Sequence, residues 1–259
     1  MTELRQAKEW PLAIFTLALQ LACGVAIATT VAAAYSPAQS VLRRTLGSAV
    51  FPLVALGLAV SLAHLGRPLS AWRALSNIGN SRLSLEVLLT SAFAVSSLAY
   101  SFLEWTSTTA LRFPIGAITS ILGIAAVIAS AAIYRIPTRP IWDSGWVIAS
   151  FAGSTVMVAG LALASLWTPT RPAIFIVLSG CALLFLSGAR MWSRCFQFPP
   201  HPNLLHMWFA GYLLLVVLGP VLLTIMPVNG APLACCAAVT GIFAGRMLMF
   251  AVAELEPRF

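Results

Sequence analysis

The sequence predicts an all-α integral membrane protein, a polytopic bundle of eight transmembrane helices. Three observations carry that reading. The chain of 259 residues is 60% hydrophobic and only 8% charged, with a mean hydropathy of +0.93. A soluble domain carries about 25% charged residues, so nothing here could form a water-facing shell. Eight apolar runs of 18 to 25 residues recur along the chain, each long enough to cross about 30 Å of hydrocarbon as a helix. Pro, Gly, Ser or Arg marks nearly every break between them.

The first run, 11–35, follows a polar start holding Glu3, Arg5, Lys8 and Glu9. "VAAAYSPA" offers small residues for cleavage. The run is nevertheless about twice as long as a signal-peptide core and acids precede it, so it reads as a retained helix. The second (47–66) follows "YSPAQSVLRRTLG", and the third (84–103) follows a 17-residue connection rich in Arg. The fourth (113–134) runs into "YRIPTRPIWDSG", after which the fifth (144–166) begins. The sixth (172–189) is the shortest. The seventh (206–226) carries Gly219-Pro220 near its centre, the strongest kink signal in the chain. The eighth (232–253) follows "MPVNGAP". No connection is long enough for a soluble domain, so residues 1–259 form a single membrane domain. The tracts "HLGRPLSAW" after span 2 and "LSGARMWSR" after span 6 hint at a 4+4 arrangement.

Fifteen Lys and Arg oppose seven Asp and Glu, and fourteen of the fifteen are Arg. In a soluble protein that excess would raise nucleic acid as a partner; in a membrane protein it marks loops that set topology. Arg5, Lys8, Arg67, Arg73, Arg82, Arg135, Arg139, Arg190, Arg194 and Arg258 fall on one side, and Arg43, Arg44, Arg112 and Arg171 on the other. Ten against four puts both termini in the cytoplasm, with the protein in a bacterial inner membrane. Arginine also favours bidentate contact with carboxylate or phosphate. Arg73, Arg135, Arg139, Arg190 and Arg194, in the loops 67–83, 135–143 and 190–205, therefore form a candidate docking face for a partner protein or lipid headgroups. Five cysteines (Cys23, Cys181, Cys195, Cys235, Cys236) include no CxxC pair, and all but Cys195 read as small apolar helix residues. No metal or iron–sulfur site is expected on this chain.

An ionisable side chain inside a span is a functional candidate. His64 near the end of span 2, Glu86 in the first turn of span 3 and Arg246 in span 8 qualify. Glu86 has a plain alternative: with Ser84 as N-cap, its carboxylate would sit at the helix start and gain from the dipole. His64 and Glu86 lie at the same depth on consecutive antiparallel helices, above an apolar bundle. That pairing suits a quinol, whose two hydroxyls need acceptors that pass protons on to water. Arg67 and Arg82 are candidate electrostatic helpers. Arg246 is expected to snorkel toward the basic side rather than pair with a buried acid. Glu104 and Arg112 read as boundary residues. A haem between His64 and His206 is the nearest alternative. A solute transporter is another, though mid-span ionisable groups and helix breaks are scarce. A purely structural anchor is the third.

"HLGRPLSAWRAL", "SRLSLEVL", "YRIPTRPIWDS" and "GRMLMF" together resemble the membrane-anchor subunit of dimethyl sulfoxide reductase, the DmsC family, from end to end of the sequence. The resemblance implies an anchor with no haem or iron–sulfur cluster of its own. Such an anchor holds an iron–sulfur subunit and a molybdopterin catalytic subunit at the membrane and oxidises menaquinol for them. The acceptor-reducing site would lie on a partner protein. In that family a His ending span 2 and a Glu starting span 3 are tied to the quinol site; they fall on His64 and Glu86.

Overall fold

A computed structural model describes residues 10–35, 41–63, 68–106, 110–137, 139, 142–167, 171–195, 203–225 and 230–254. Among them the chain is all helical, without a strand: α1 (Trp10–Tyr35), α2 (Val41–Ala63), a 3-10 segment (Pro68–Asn77), α3 (Arg82–Trp105), α4 (Arg112–Ile133), α5 (Gly145–Leu166), α6 (Arg171–Cys195), α7 (Asn203–Ile225) and α8 (Gly230–Glu254). Seven are long and apolar enough to cross a membrane. The eighth, α7, has a shorter apolar stretch, Met207–Leu223.

Two helices form the core. α1 packs against α2, α4, α5 and α8, while α5 packs against α1, α4, α6 and α8. Both are built from small residues that let backbones approach, the usual basis of helix packing in lipid. A Cβ on Gly24 of α1 would lie 2.7 Å from Val158 Cγ1 of α5, and one on Gly180 of α6 would lie 2.5 Å from the Met157 backbone nitrogen. The outer helices turn large apolar side chains outward, among them Val95, Leu98 and Phe102 on α3 and Ile121 and Ile128 on α4. Exposed Trp10, Trp105, Trp146 and Trp208 sit at helix ends, where amphipathic rings mark the edges of a bilayer.

Helix bounds differ from the sequence reading in two informative places. α2 begins at Val41, six residues before the expected start, because Arg43 is inside the helix and buried rather than in a loop. α6 continues to Cys195 and is one of the longest helices, not the shortest. Arg190 and Arg194 extend it past the apolar run, one turn apart, and Cys195 ends that helix instead of lying in a loop. α2 and α7 both run through an internal proline, Pro52 and Pro220. At the first, Ser101 of α3 braces the neighbouring turn: its Oγ accepts from the Phe51 N–H (3.3 Å) and donates to the Gly47 carbonyl (3.2 Å).

Candidate functional site

At the basic end, α3 begins at Ser81. Its hydroxyl accepts from the Ser84 N–H at 3.4 Å, and its backbone is extended, as an N-cap requires. Ser84 is thus inside the helix and buried, not its cap. Glu86 lies in the second turn, outside the reach of the cap, so the helix-start explanation of its carboxylate fails. Arg82 holds the local register. Its Nη1 donates to the carbonyls of Ala132 (3.1 Å) and Arg135 (2.7 Å), capping the C-terminus of α4 with the first residue of α3.

That clasp sets Glu86 opposite Ser130 of α4. Glu86 is 9% exposed, and its carboxyl faces the Ser130 hydroxyl without closing a hydrogen bond of normal geometry. Ser130 Oγ and Thr90 Oγ1, one turn below Glu86, are buried and have no hydrogen-bond partner among the described residues. Buried hydroxyls are rarely left unpaired. The buried carboxyl and the two unpaired hydroxyls make a polar patch inside the bundle, about 6 Å past the start of α3. Phe93, fully buried, lies beneath it on the same helix face, packed against Gly123. No ion pair joins Arg82 to Glu86 among the described residues. His64, Arg67 and His201 lie outside the described residues, as does the side chain of His206. No cluster of three His, Cys, Asp or Glu suited to a metal occurs among the described side chains.

The buried face of α3 carries polar groups along its whole length: Ser84, Glu86, Thr90, Ser97, Tyr100, Ser101 and Glu104. At the far end Glu104 is fully buried and pairs with Arg43 of α2 at 3.2 Å. Gly47 makes room for it, since a Cβ there would lie 2.7 Å from Glu104 Cγ. Glu104 is therefore not a boundary residue. Arg112 is also buried and caps the end of α3, donating to the Leu103 (3.1 Å) and Thr106 carbonyls. The ion pair escaped the sequence reading although a signal was there: Arg43 and Glu104 lie at matching depths on consecutive antiparallel spans.

Arg246 does not snorkel, and among the described residues it meets no acid. It is 2% exposed and donates to Ser150 Oγ (3.0 Å), Gln20 Oε1 (3.0 Å) and Ser154 Oγ (3.2 Å), with its guanidinium 3.8 Å from the centre of the Phe151 ring. One residue of α8 thus binds α1 and α5, the two core helices.

Of the docking arginines, Arg73, Arg135 and Arg190 are exposed, and Arg139 and Arg194 half-buried. Described residues between Tyr134 and Ser144 are tied to the bundle and to one another. Trp142 donates to the Met249 carbonyl (2.9 Å), Arg139 lies 5.4 Å from the Trp142 ring centre, and Arg135 faces Asp143 at 3.8 Å. Tyr134, Trp142 and Phe250 meet edge to face.

Residues 5–189 match the family described as DMSO reductase anchor subunit (DmsC); the "GRMLMF" tract lies beyond that match. The protein is 29% identical to YnfH, an anaerobic dimethyl sulfoxide reductase chain of Escherichia coli K12, over 70% of its own length and 66% of the relative. It is 31% identical to the C chain of the anaerobic dimethyl sulfoxide reductase of the same organism, over 55% of its own length and 52% of the relative. The C subunit of the sulfite dehydrogenase of Allochromatium vinosum is 36% identical over 39% of this protein and 33% of that one. The matches span less than two thirds of each relative's length.

Proposed function

The chain belongs to the family of the DMSO reductase anchor subunit (DmsC), and from that premise we propose a menaquinol-oxidising anchor of a dimethyl sulfoxide reductase-type molybdenum enzyme. It sits in the bacterial cytoplasmic membrane and serves anaerobic respiration. The observation that carries this reading is the polar patch at Glu86, with its buried carboxyl and the two unpaired hydroxyls of Thr90 and Ser130. A quinol hydroxyl can donate to the carboxyl while its oxygen accepts from one of those hydroxyls. Glu86 accepts a proton from one quinol hydroxyl, and His64, next in sequence after α2, is the second acceptor. Both release protons to the water at the basic end. The two electrons leave toward an iron–sulfur subunit docked on the same face, and from there to a molybdopterin catalytic subunit that reduces the acceptor.

Arg82 acts here as a positioning residue: its grip on the end of α4 fixes Glu86 against Ser130. Arg67 is the remaining candidate for stabilising charge on the ring. Arg73, Arg135 and Arg139, with Arg190 and Arg194, form the docking face. The termini lie on that face, in the cytoplasm by the charge count. The helix contacts support reading the protein as two four-helix halves. α1 to α4 close a ring of neighbours, α5 to α8 close a second, and α1 with α5 forms the main seam.

Binding of a fluorescent quinol analogue to the detergent-purified protein tests the site. Glu86→Gln or Thr90→Val is expected to weaken binding at least tenfold. Unchanged binding in both would move the site elsewhere. The haem-binding reading predicts a Soret band in the purified protein, and its presence would displace the present one.

A further inference from the structure

A recess opens at the basic end, between α5, α6, α7 and α8 and away from Glu86. It is a narrow, solvent-connected cleft. Trp142, Trp146, Arg190 and Arg194 stand at its mouth, and Ser150, Ser187 and Tyr212 line its depth. We propose that this cleft holds the headgroup of an anionic phospholipid with a hydroxylated headgroup, its phosphate on the mouth arginines and its hydroxyls on the inner side chains.

Charge is the first support. Arg246 lies directly behind Ser150, buried, and no carboxylate pairs with it among the described residues. Its Nε is also without a partner. An uncompensated buried cation favours an anion nearby, and the cleft is the adjacent space. Arg190 and Arg194, one turn apart on α6, border the same opening. Guanidinium groups match phosphate oxygens in geometry, and basic clefts between spans on the cytoplasmic side suit anionic headgroups.

Hydrogen-bond polarity is the second. Ser187 and Tyr212 both donate to the Leu184 carbonyl, each at 3.0 Å, so each hydroxyl has its proton committed and keeps its oxygen as an acceptor. Ser150 accepts from Arg246, and its own O–H has no acceptor among the described residues. The inner wall therefore offers one donor and two acceptors, enough to accept the protons of two headgroup hydroxyls and to donate to one of them. Tyr212 is held rigidly there: a Cβ on Gly188 or Gly245 would lie 2.7 or 2.6 Å from opposite edges of its ring.

Depth separates a lipid from a docked protein surface. Ser150 is the sixth residue of α5, about 7.5 Å below the helix start. A partner protein would cover the mouth without reaching that hydroxyl. The tryptophans at the opening also suit the bilayer boundary.

The test is native mass spectrometry of the full-length detergent-purified protein with palmitoyl-oleoyl phosphatidylglycerol, the matching phosphatidylcholine, or inorganic phosphate. Phosphatidylglycerol should be retained at least fivefold over phosphatidylcholine. Arg190→Gln, at an exposed position that leaves packing intact, should lower its retention about threefold, and Ser150→Ala should lower it comparably. Arg135→Gln, on the same face but outside the cleft, should change nothing. Equal retention of the two lipids, or equal loss in Arg135→Gln, would overturn the site. So would displacement of the lipid by millimolar phosphate, which would make it a free-anion site. Loss of the iron–sulfur subunit from Arg190→Gln with lipid retention unchanged would assign the cleft to the partner instead.

Discussion

Arg43 and Glu104, 61 residues apart in sequence, meet where neither side chain reaches water. Removing one member of a buried ion pair leaves the other uncompensated, at a cost of about 3–5 kcal/mol, whereas replacing both by apolar residues is often neutral. Glu104→Gln is therefore expected to destabilise the protein by about 3 kcal/mol in denaturant unfolding, and Arg43→Met with Glu104→Leu to recover most of that. A double variant as unstable as the single would remove the ion pair from the account. At this scale the sequence is only partly legible. Glu86 stands out because a carboxylate in an apolar run is costly, but its true neighbours, Thr90 and Ser130, are ordinary residues in any helix. Arg246 shows the converse. Its charge is visible, while its actual partners, Gln20, Ser150 and Ser154, are neutral and come from two other helices.

Helix bounds are legible where the apolar run and the helix end together, and obscure where a charge is buried or a helix outruns its apolar core. The starts of α1 and α5 and the ends of α4 and α5 fall within one residue of the expected positions. α2 and α6 do not, because Arg in a sequence reads as a stop signal, whereas Arg43 has a buried acid to meet and Arg190 and Arg194 reach the boundary from an extended helix. Packing between elements makes its own prediction. Gly180 approaches the α5 backbone so closely that Gly180→Ala must push α5 and α6 apart, and overpacking of this kind costs about 1–3 kcal/mol. A Cβ on Gly211 of α7 meets nothing within 4 Å, so Gly211→Ala should be neutral or stabilise by up to about 1 kcal/mol. Thermal unfolding of the two variants in one detergent decides whether α5 and α6 pack as described; equal melting points would contradict it.

For the whole molecule, the two ends of the bundle are chemically distinct. One carries the Glu86 patch, the lipid-headgroup cleft and the exposed arginines; the other carries short turns and the Arg43–Glu104 pair. In the proposed orientation the first end faces the cytoplasm. A cysteine at Ser76, exposed in the 3-10 segment, should then react with an impermeant thiol reagent only after the inner membrane is opened. One at Ala110, in the exposed turn between α3 and α4, should react once the outer membrane alone is permeable; the reverse pattern would invert the topology. The bundle architecture is legible because hydropathy and length dictate it. Which helices form the core is not, since α1 and α5 differ from the rest in their small residues rather than in apolarity.

Whether Glu86 takes a quinol proton is read directly from acceptor reduction in membranes carrying Glu86→Gln. Menaquinol is compared with an artificial donor that feeds the partner subunits without passing through this protein. The account predicts at least a tenfold loss of the quinol-driven rate with the artificial rate unchanged. Survival of both rates would contradict it, leaving Glu86 a buried carboxyl without a part in the chemistry.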